Sequence, residues 1–184
     1  MSRPTPTHDL ARLDFLPGRF RFADGCLADY KRLAVFHYKG PTLGVSRVFR
    51  KVVYHDEHTG PRTAAIAVAC MPTLRQRHRE AFFGIGDLSV KQIGGFVNEH
   101  LLVISRVILH PQFRGMGLST LLIRDLIRKC PKRYVEASAV MGRFIPMFER
   151  AGMVRLSPLE APGPAYFLRD KRYPKKPRRP GEST

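Results

Sequence analysis

Two segments carry the clearest hydrophobic pattern in this chain. LLVISRVILHP (101–111) is apolar and β-branched along most of its length, which predicts a central strand that Pro111 stops. GLSTLLIRDLIRKC (117–130) places Leu118, Leu121, Leu122, Leu126 and Ile127 at i, i+3, i+4 spacing. That is the stripe of an amphipathic helix, with Arg and Lys in its last turn complementing the helix dipole. Upstream, CLADYKRLAVFHY (26–38) has Leu27, Tyr30, Leu33 and Ala34 near helical spacing. A loop at 40–44 follows, then strand 46–55, turn 55–62 and strand 63–72, together a hairpin. Residues 73–83 read as a short helix or ordered loop. SVKQIGGFVNEHL (89–101) is ambiguous, because its paired glycines weaken a helix. Beyond the central helix come a strand at 132–140, a helix at 142–152 ending on Gly152, and two strands at 153–156 and 165–169. Residues 1–25 read as an irregular arm, 26–169 as one domain and 170–184 as a basic disordered tail. The order of elements predicts an α/β fold, a mixed twisted sheet with helices on both faces.

Composition supports a domain of this size and excludes several classes. The 184 residues are 43% hydrophobic with 12 Phe, enough to fill a core. No apolar run approaches the ~20 residues of a membrane span, and MSRPTPTHDLARL lacks the pattern of a secretory signal. Cys26, Cys70 and Cys130 are odd in number and far apart, giving no metal spacing and no disulfide framework. A cytoplasmic location follows as the simplest expectation. The net charge is +17, of which the tail from Asp170 holds +4, so the body itself is strongly basic. Such a field favours a polyanion. The expected partner is therefore nucleic acid, DNA or tRNA, through Arg75, Arg77 and Arg79 of TLRQRHRE and through Lys171, Arg172, Lys175, Lys176, Arg178 and Arg179 of the tail. RFRF (19–22) adds basic residues beside aromatics, suited to phosphate and base contact. A homodimer is a further expectation; a membrane partner is not expected. HDEH (55–58) has the composition of a metal site, but in a hairpin turn such residues are usually solvated, and no metal is expected.

The candidate chemistry sits at the strand-to-helix junction HPQFRGMGLSTLL (110–122). A P-loop needs a Lys that is not here, and a dinucleotide fingerprint needs a third glycine where Thr120 stands. A third pattern fits better. Leu109, Pro111, Phe113, Arg114, Gly115, Gly117 and Leu118, with Ser119 where Gly or Ala is usual, resemble motif A of the GNAT N-acetyltransferases. The family's Q/R-x-x-G-x-G/A core falls on Arg114, Gly117 and Ser119, or in a second frame on Gln112, Gly115 and Gly117. MFERAGM (147–153) resembles the element that closes the acetyltransferase domain, with Phe148 where the family often has a Tyr acid. The likeness covers roughly residues 100–156.

That resemblance implies acetyl-CoA, or a related acyl-CoA, with its pyrophosphate on Arg114, Gly115, Met116, Gly117, Leu118 and Ser119. Backbone N–H groups at a helix start, a helix dipole and an arginine suit a phosphate on physical grounds alone. It also implies that the Leu109 backbone N–H faces the thioester carbonyl. Candidate catalytic residues are Glu136 in VEAS, either a base or the partner of an arginine; His37 and Tyr38 after the first helix; and Ser138. Arg106, a charge inside an apolar strand, is expected to pair with Glu136. More narrowly, DYKRLAVFHYKG (29–40), ACMPTL (69–74) and YVEASAVMGRFIPMFERAGM (134–153) look like the acetyltransferase-like domain fused to ABC-type ATPases. They are more distantly similar to the phage DNA-modifying Mom family, through His37, Tyr38 and Gly142 and against Ser138 and Phe148. The resemblance implies acyl transfer to an amine on a nucleic acid or on something bound to one. The alternatives are a Mom-like modification of a DNA base, not necessarily using CoA, and a catalytically degenerate basic nucleic-acid-binding module.

Overall fold

The computed structural model describes residues 18–37, 42–56, 58–160 and 162–173. Seven strands form one mixed sheet in the order β1-β2-β3-β4-β5-β7-β6. They are β1 (Gly18–Asp24), β2 (Ser46–Asp56), β3 (Gly60–Cys70), β4 (Leu101–Leu109), β5 (Tyr134–Ala139), β6 (Val154–Arg155) and β7 (Ala165–Asp170). Neighbours are antiparallel except β4 and β5, which run parallel. Five α-helices lie among the described residues: α1 (Leu27–Ala34), α2 (Arg77–Phe83), α3 (Val90–His100), α4 (Leu118–Lys129) and α5 (Met147–Arg150).

Strand β3 shows why helices cover both faces. It is buried from Ala64 to Cys70, and its side chains alternate in size as well as in direction. Ala65, Ala67 and Ala69 face α4, where Leu118, Leu122, Ile123, Leu126 and Ile127 fill the space that small residues leave. Ile66, Val68 and Cys70 face the other way, onto Tyr30 and Leu33 of α1. A third cluster joins Phe83, Leu101, Tyr134, Tyr166 and Leu168 at the β5–β7 end.

Three segments differ from expectation. Residues 18–24, expected within an irregular arm, pair along their whole length with β2. Phe20 and Phe22 of RFRF turn towards the core, and Phe20 packs on Tyr54 and Phe113, so Phe20 is not available to stack on a base. The ambiguous segment 89–101 is a helix. Ser89 and Gln92 close a capping box on it, and Ile93 and Val97 bury one face, which outweighs the cost of Gly94 and Gly95. The single helix expected over 142–152 is split into a 3₁₀ turn, Met141–Arg143, and α5, with Pro146 standing between them. A Cβ on Gly142 would come within 2.5 Å of the Phe167 ring, so this turn is packed as tightly as a glycine allows.

Two buried charges on opposite elements pin α4 to the sheet. Arg50 of β2 and Asp125 of α4 are both buried and lie 2.5 Å apart from Nε to Oδ2. Arg128 bonds the other oxygen of Asp125, and Asp24 bonds Arg50 from the solvent side. Asp125→Ala takes away the buried partner of Arg50. It should lower the unfolding free energy by about 3–5 kcal/mol, measured as a fall in urea midpoint with an unchanged denaturant slope.

Candidate active site

The site begins with one extra residue in β4. Opposite β3, Val68 pairs with Arg106 and Ala69 with Ile104, which leaves Ser105 as a bulge. The bulge changes which face each side chain takes. Leu102 and Ile104 join the α4 side, and after Ser105 it is Val107 and Leu109 that do so, while Ile108 packs with α1. At the same point the parallel ladder with β5 ends, at Ile104↔Ala137. Beyond it the two strands diverge and a cleft of about 510 Å³ opens between them. His110 N–H donates to Ala64 O at 2.9 Å. By the alternation of an antiparallel ladder, the Leu109 N–H therefore turns away from β3 and towards the cleft.

The loop from His110 to Gly117 forms the cleft's inner end. His110 Nδ1 accepts from Gln112 N–H at the start of a 3₁₀ turn, Pro111–Phe113. Phe113 is buried and sits edge-on to Phe20, which anchors the loop to the sheet. Gly115 and Gly117 have φ of +82° and +78°, in the left-handed region that a side chain strains. Apart from their chain neighbours, no atom of the described residues lies within 4 Å of where their Cβ atoms would be, so the space in front of them is open on that side. Gly117 caps α4, and Thr120 and Leu121 N–H already bond its carbonyl. The N–H groups of Leu118 and Ser119 come before those bonds, at the positive end of the dipole. Arg114 reaches across to Phe36 O at 3.4 Å, and Phe36 lies edge-on to His110, tying the end of α1 to this loop.

Of the residues expected to act here, His37, Leu109, Arg114, Gly115, Gly117, Ser119 and Ser138 line the cleft. Leu118 is fully buried in the core, Met116 packs against that core, and neither side chain is needed to line the cleft. Tyr38 lies outside the described residues. So do Lys175, Lys176, Arg178 and Arg179. Residues that sequence reasoning missed are Ser105, Arg106, Thr120 and Arg150, all on the cleft wall. The polar pair Ser105-Arg106 inside an apolar run was the signal for the bulge.

Glu136 requires a correction. It is buried, it does not line the cleft, and it serves as the partner of an arginine. That arginine is Arg79, not Arg106: Arg79 Nη1 lies 3.1 Å from Oε1, and Tyr166 donates to Oε2 at 2.7 Å. Burial pushes the Glu136 carboxyl upward, while Arg79 and the Tyr166 hydroxyl hold it down. Burial and the neighbouring carboxylate push the Tyr166 phenol up, so it stays a donor. Arg79 also donates to Thr73 O and Leu74 O and is wholly inaccessible, which removes it from any nucleic-acid surface. Arg106 donates instead to Ser105 O, Ser105 Oγ and Thr42 O. Arg77 and Arg172 are exposed; Arg75 is exposed and donates to Glu80, Gly86 O and Leu88 O. Lys171 donates to Cys130 O. Phe148 is buried and stacked on Phe167. In the HDEH turn, Asp56 accepts from His58 N–H and Thr59 N–H.

No family model matches the chain, and no curated protein matches its sequence. Solved structures do match its shape. One is Arabidopsis thaliana NAA60 in complex with acetyl-CoA, 14% identical, covering 83% of this chain and 99% of that one with a TM-score of 0.57. The fold is that of the GNAT acetyltransferases. A KacTA–DNA complex also matches, 10% identical over 84% of this chain and 94% of that one, with a TM-score of 0.51. The likeness extends to the GNAT fold, and the narrower resemblances to ATPase-fused domains and Mom proteins rest on sequence alone. No helix among the described residues is long and apolar enough to cross a membrane.

The two acidic and hydroxyl candidates on β5 should separate experimentally. Glu136→Leu leaves Arg79 buried without its carboxylate and should cost about 3–5 kcal/mol of stability. Ser138→Ala, at an exposed position in the cleft, should stay within about 0.5 kcal/mol; urea denaturation of both variants is the check.

Proposed function

We propose that this protein is a GNAT-type acyltransferase that takes acetyl-CoA, or a related acyl-CoA, as donor and an amine as acceptor. The observation that carries this reading is the cleft between β4 and β5, with the start of α4 at one end and the Leu109 N–H on its wall. The parts fit the donor. The N–H groups of Leu118 and Ser119, with the Arg114 guanidinium, suit a pyrophosphate. The strand edge beyond Ile104 offers main-chain partners to an amide-bearing chain. Among the described residues that line the cleft there are arginines and no Asp or Glu, which suits an anionic ligand.

The bound donor would supply an activated thioester carbonyl. The Leu109 N–H is set to polarise its oxygen, as one donor of an oxyanion contact. The acceptor nitrogen must lose a proton as it bonds to the carbonyl carbon. Of the side-chain types on the cleft wall, imidazole alone takes a proton near neutral pH, which assigns that role to His37. The carbon–sulfur bond then breaks, and the leaving thiolate needs a proton. Phe148 cannot give one, so the acid is a water or another group at the mouth. The basic surface supports an acceptor on nucleic acid or on something bound to it, DNA or tRNA. The Mom resemblance would place a DNA base in the same cleft; what favours acyl-CoA is the loop from Arg114 to Ser119.

Acetyl-CoA should raise the melting temperature, since a ligand at a hundred times its Kd adds about 2.7 kcal/mol. Gly117→Trp, which strains the backbone and fills the open space, should abolish that shift, and no shift in the parent at millimolar ligand overturns the reading. His37→Ala should keep the shift and lose about a hundredfold or more in turnover. Mass spectrometry of nucleosides and proteins from cells with and without the chain identifies the acceptor.

A further inference from the structure

Outside the cleft, four cations converge on a second pocket. Among the described residues, Arg124, Arg128, Arg169 and Lys171 line a space of about 450 Å³, with Ile127 and Ala151 completing the wall. Arg124 and Arg128 stand one turn apart on α4. Arg169 lies near the end of β7 and Lys171 directly follows the strand, and both reach the pocket. Main-chain carbonyls position three of the head groups. Arg124 donates to Arg150 O at 2.7 Å, Arg169 to Gly152 O at 2.5 Å and Lys171 to Cys130 O. Arg128 shares Asp125 with Arg50. Asp170, next to Arg169 in the chain, bonds Arg133. Burial pulls the Arg169 guanidinium below its ordinary range, so an anion in the pocket would offset part of that desolvation.

We propose that this pocket binds the phosphodiester backbone of a nucleic acid and holds the polymer beside the acyl-transfer cleft. Guanidinium forks match phosphate oxygens. Four head groups spread around this volume fit successive phosphates of a polymer better than one ion. Arg172 is exposed directly after Lys171, and the sequence continues with Lys175, Lys176, Arg178 and Arg179. The two sites meet at α5: Arg150 lines the cleft, and its carbonyl accepts from Arg124. Delivery of an acceptor to the cleft rests on the acyltransferase reading; phosphate binding does not.

The test uses the full chain and a short labelled DNA duplex, titrated at several salt concentrations. Arg124→Gln combined with Lys171→Gln should weaken binding about tenfold near about 0.1 M salt and lower the salt slope by about 0.9 for each phosphate no longer neutralised. The acetyl-CoA thermal shift should be that of the parent. Unchanged affinity and slope overturn the proposal. Loss of the acetyl-CoA shift together with DNA binding also overturns it, by assigning the pocket to the donor's own phosphates. If the parent shows no acetyl-CoA shift yet its DNA binding depends on these residues, the acyltransferase reading fails and the pocket stands. A second measurement needs no variant. In the parent, duplex DNA should protect Lys171 several-fold from an N-hydroxysuccinimide ester while exposed Lys91 on α3 stays reactive. Equal labelling of Lys171 with and without DNA, or equal protection by inorganic phosphate at the same phosphate concentration, overturns it.

Discussion

The inserted residue in β4 is the constraint on which the site depends. A parallel pair would normally continue its ladder to the strand ends, and here it stops after Ile104↔Ala137. Ser105 is unmatched opposite β3, so the strand bends and its side chains exchange faces. Without that exchange, Val107 and Leu109 would point at α1 and Ile108 at α4. With it, the strand keeps its ladder with β3 while its other edge, carrying the Leu109 N–H, opens onto the cleft. A pocket walled by backbone in this way needs no charged side chain to be buried.

The position of α4 completes the geometry, and the sheet dictates it. Ala65, Ala67 and Ala69 form a shallow face that admits the Leu and Ile stripe of the helix, and the buried Arg50–Asp125 pair settles its lateral position. Such a pair contributes little net energy compared with apolar packing, yet it penalises any register in which one charge loses the other. The start of α4 is thus held at the inner end of the cleft, where its N–H groups and dipole face the space in front of Gly115 and Gly117. A second buried pair, Arg79 with Glu136 and Tyr166, performs the same service for the β5–β7 end and the segment before α2.

Charge is distributed unevenly over this frame. Some of the arginines that make the chain basic are internal ties: Arg50 and Arg79 are buried, and Arg106 is bound to main-chain carbonyls of its own strand and of residue 42. Others surround the cleft and the pocket behind α5. The net charge of the chain therefore overstates the positive charge that its described surface exposes.

The sequence by itself determined the hairpin, the central strand, the amphipathic helix and the glycine loop between them, because each depends on local periodicity or on a residue with a special backbone. It also carried the resemblance that names the fold, through Arg114, Gly117 and the helix that follows. Tertiary structure decided the rest. Residues 18–24 become a strand only because β2 offers an edge, and 90–100 a helix only because Ile93 and Val97 find a core. Glu136 read as either a base or an arginine's partner, and Arg79 as a phosphate contact, because one-dimensional spacing carries no information about burial. They became a pair when α2 folded across the end of β5. The pocket behind α5 could not be read at all: its cations come from positions 124, 128, 169 and 171, and only the tertiary fold brings α4 and the end of β7 to one pocket.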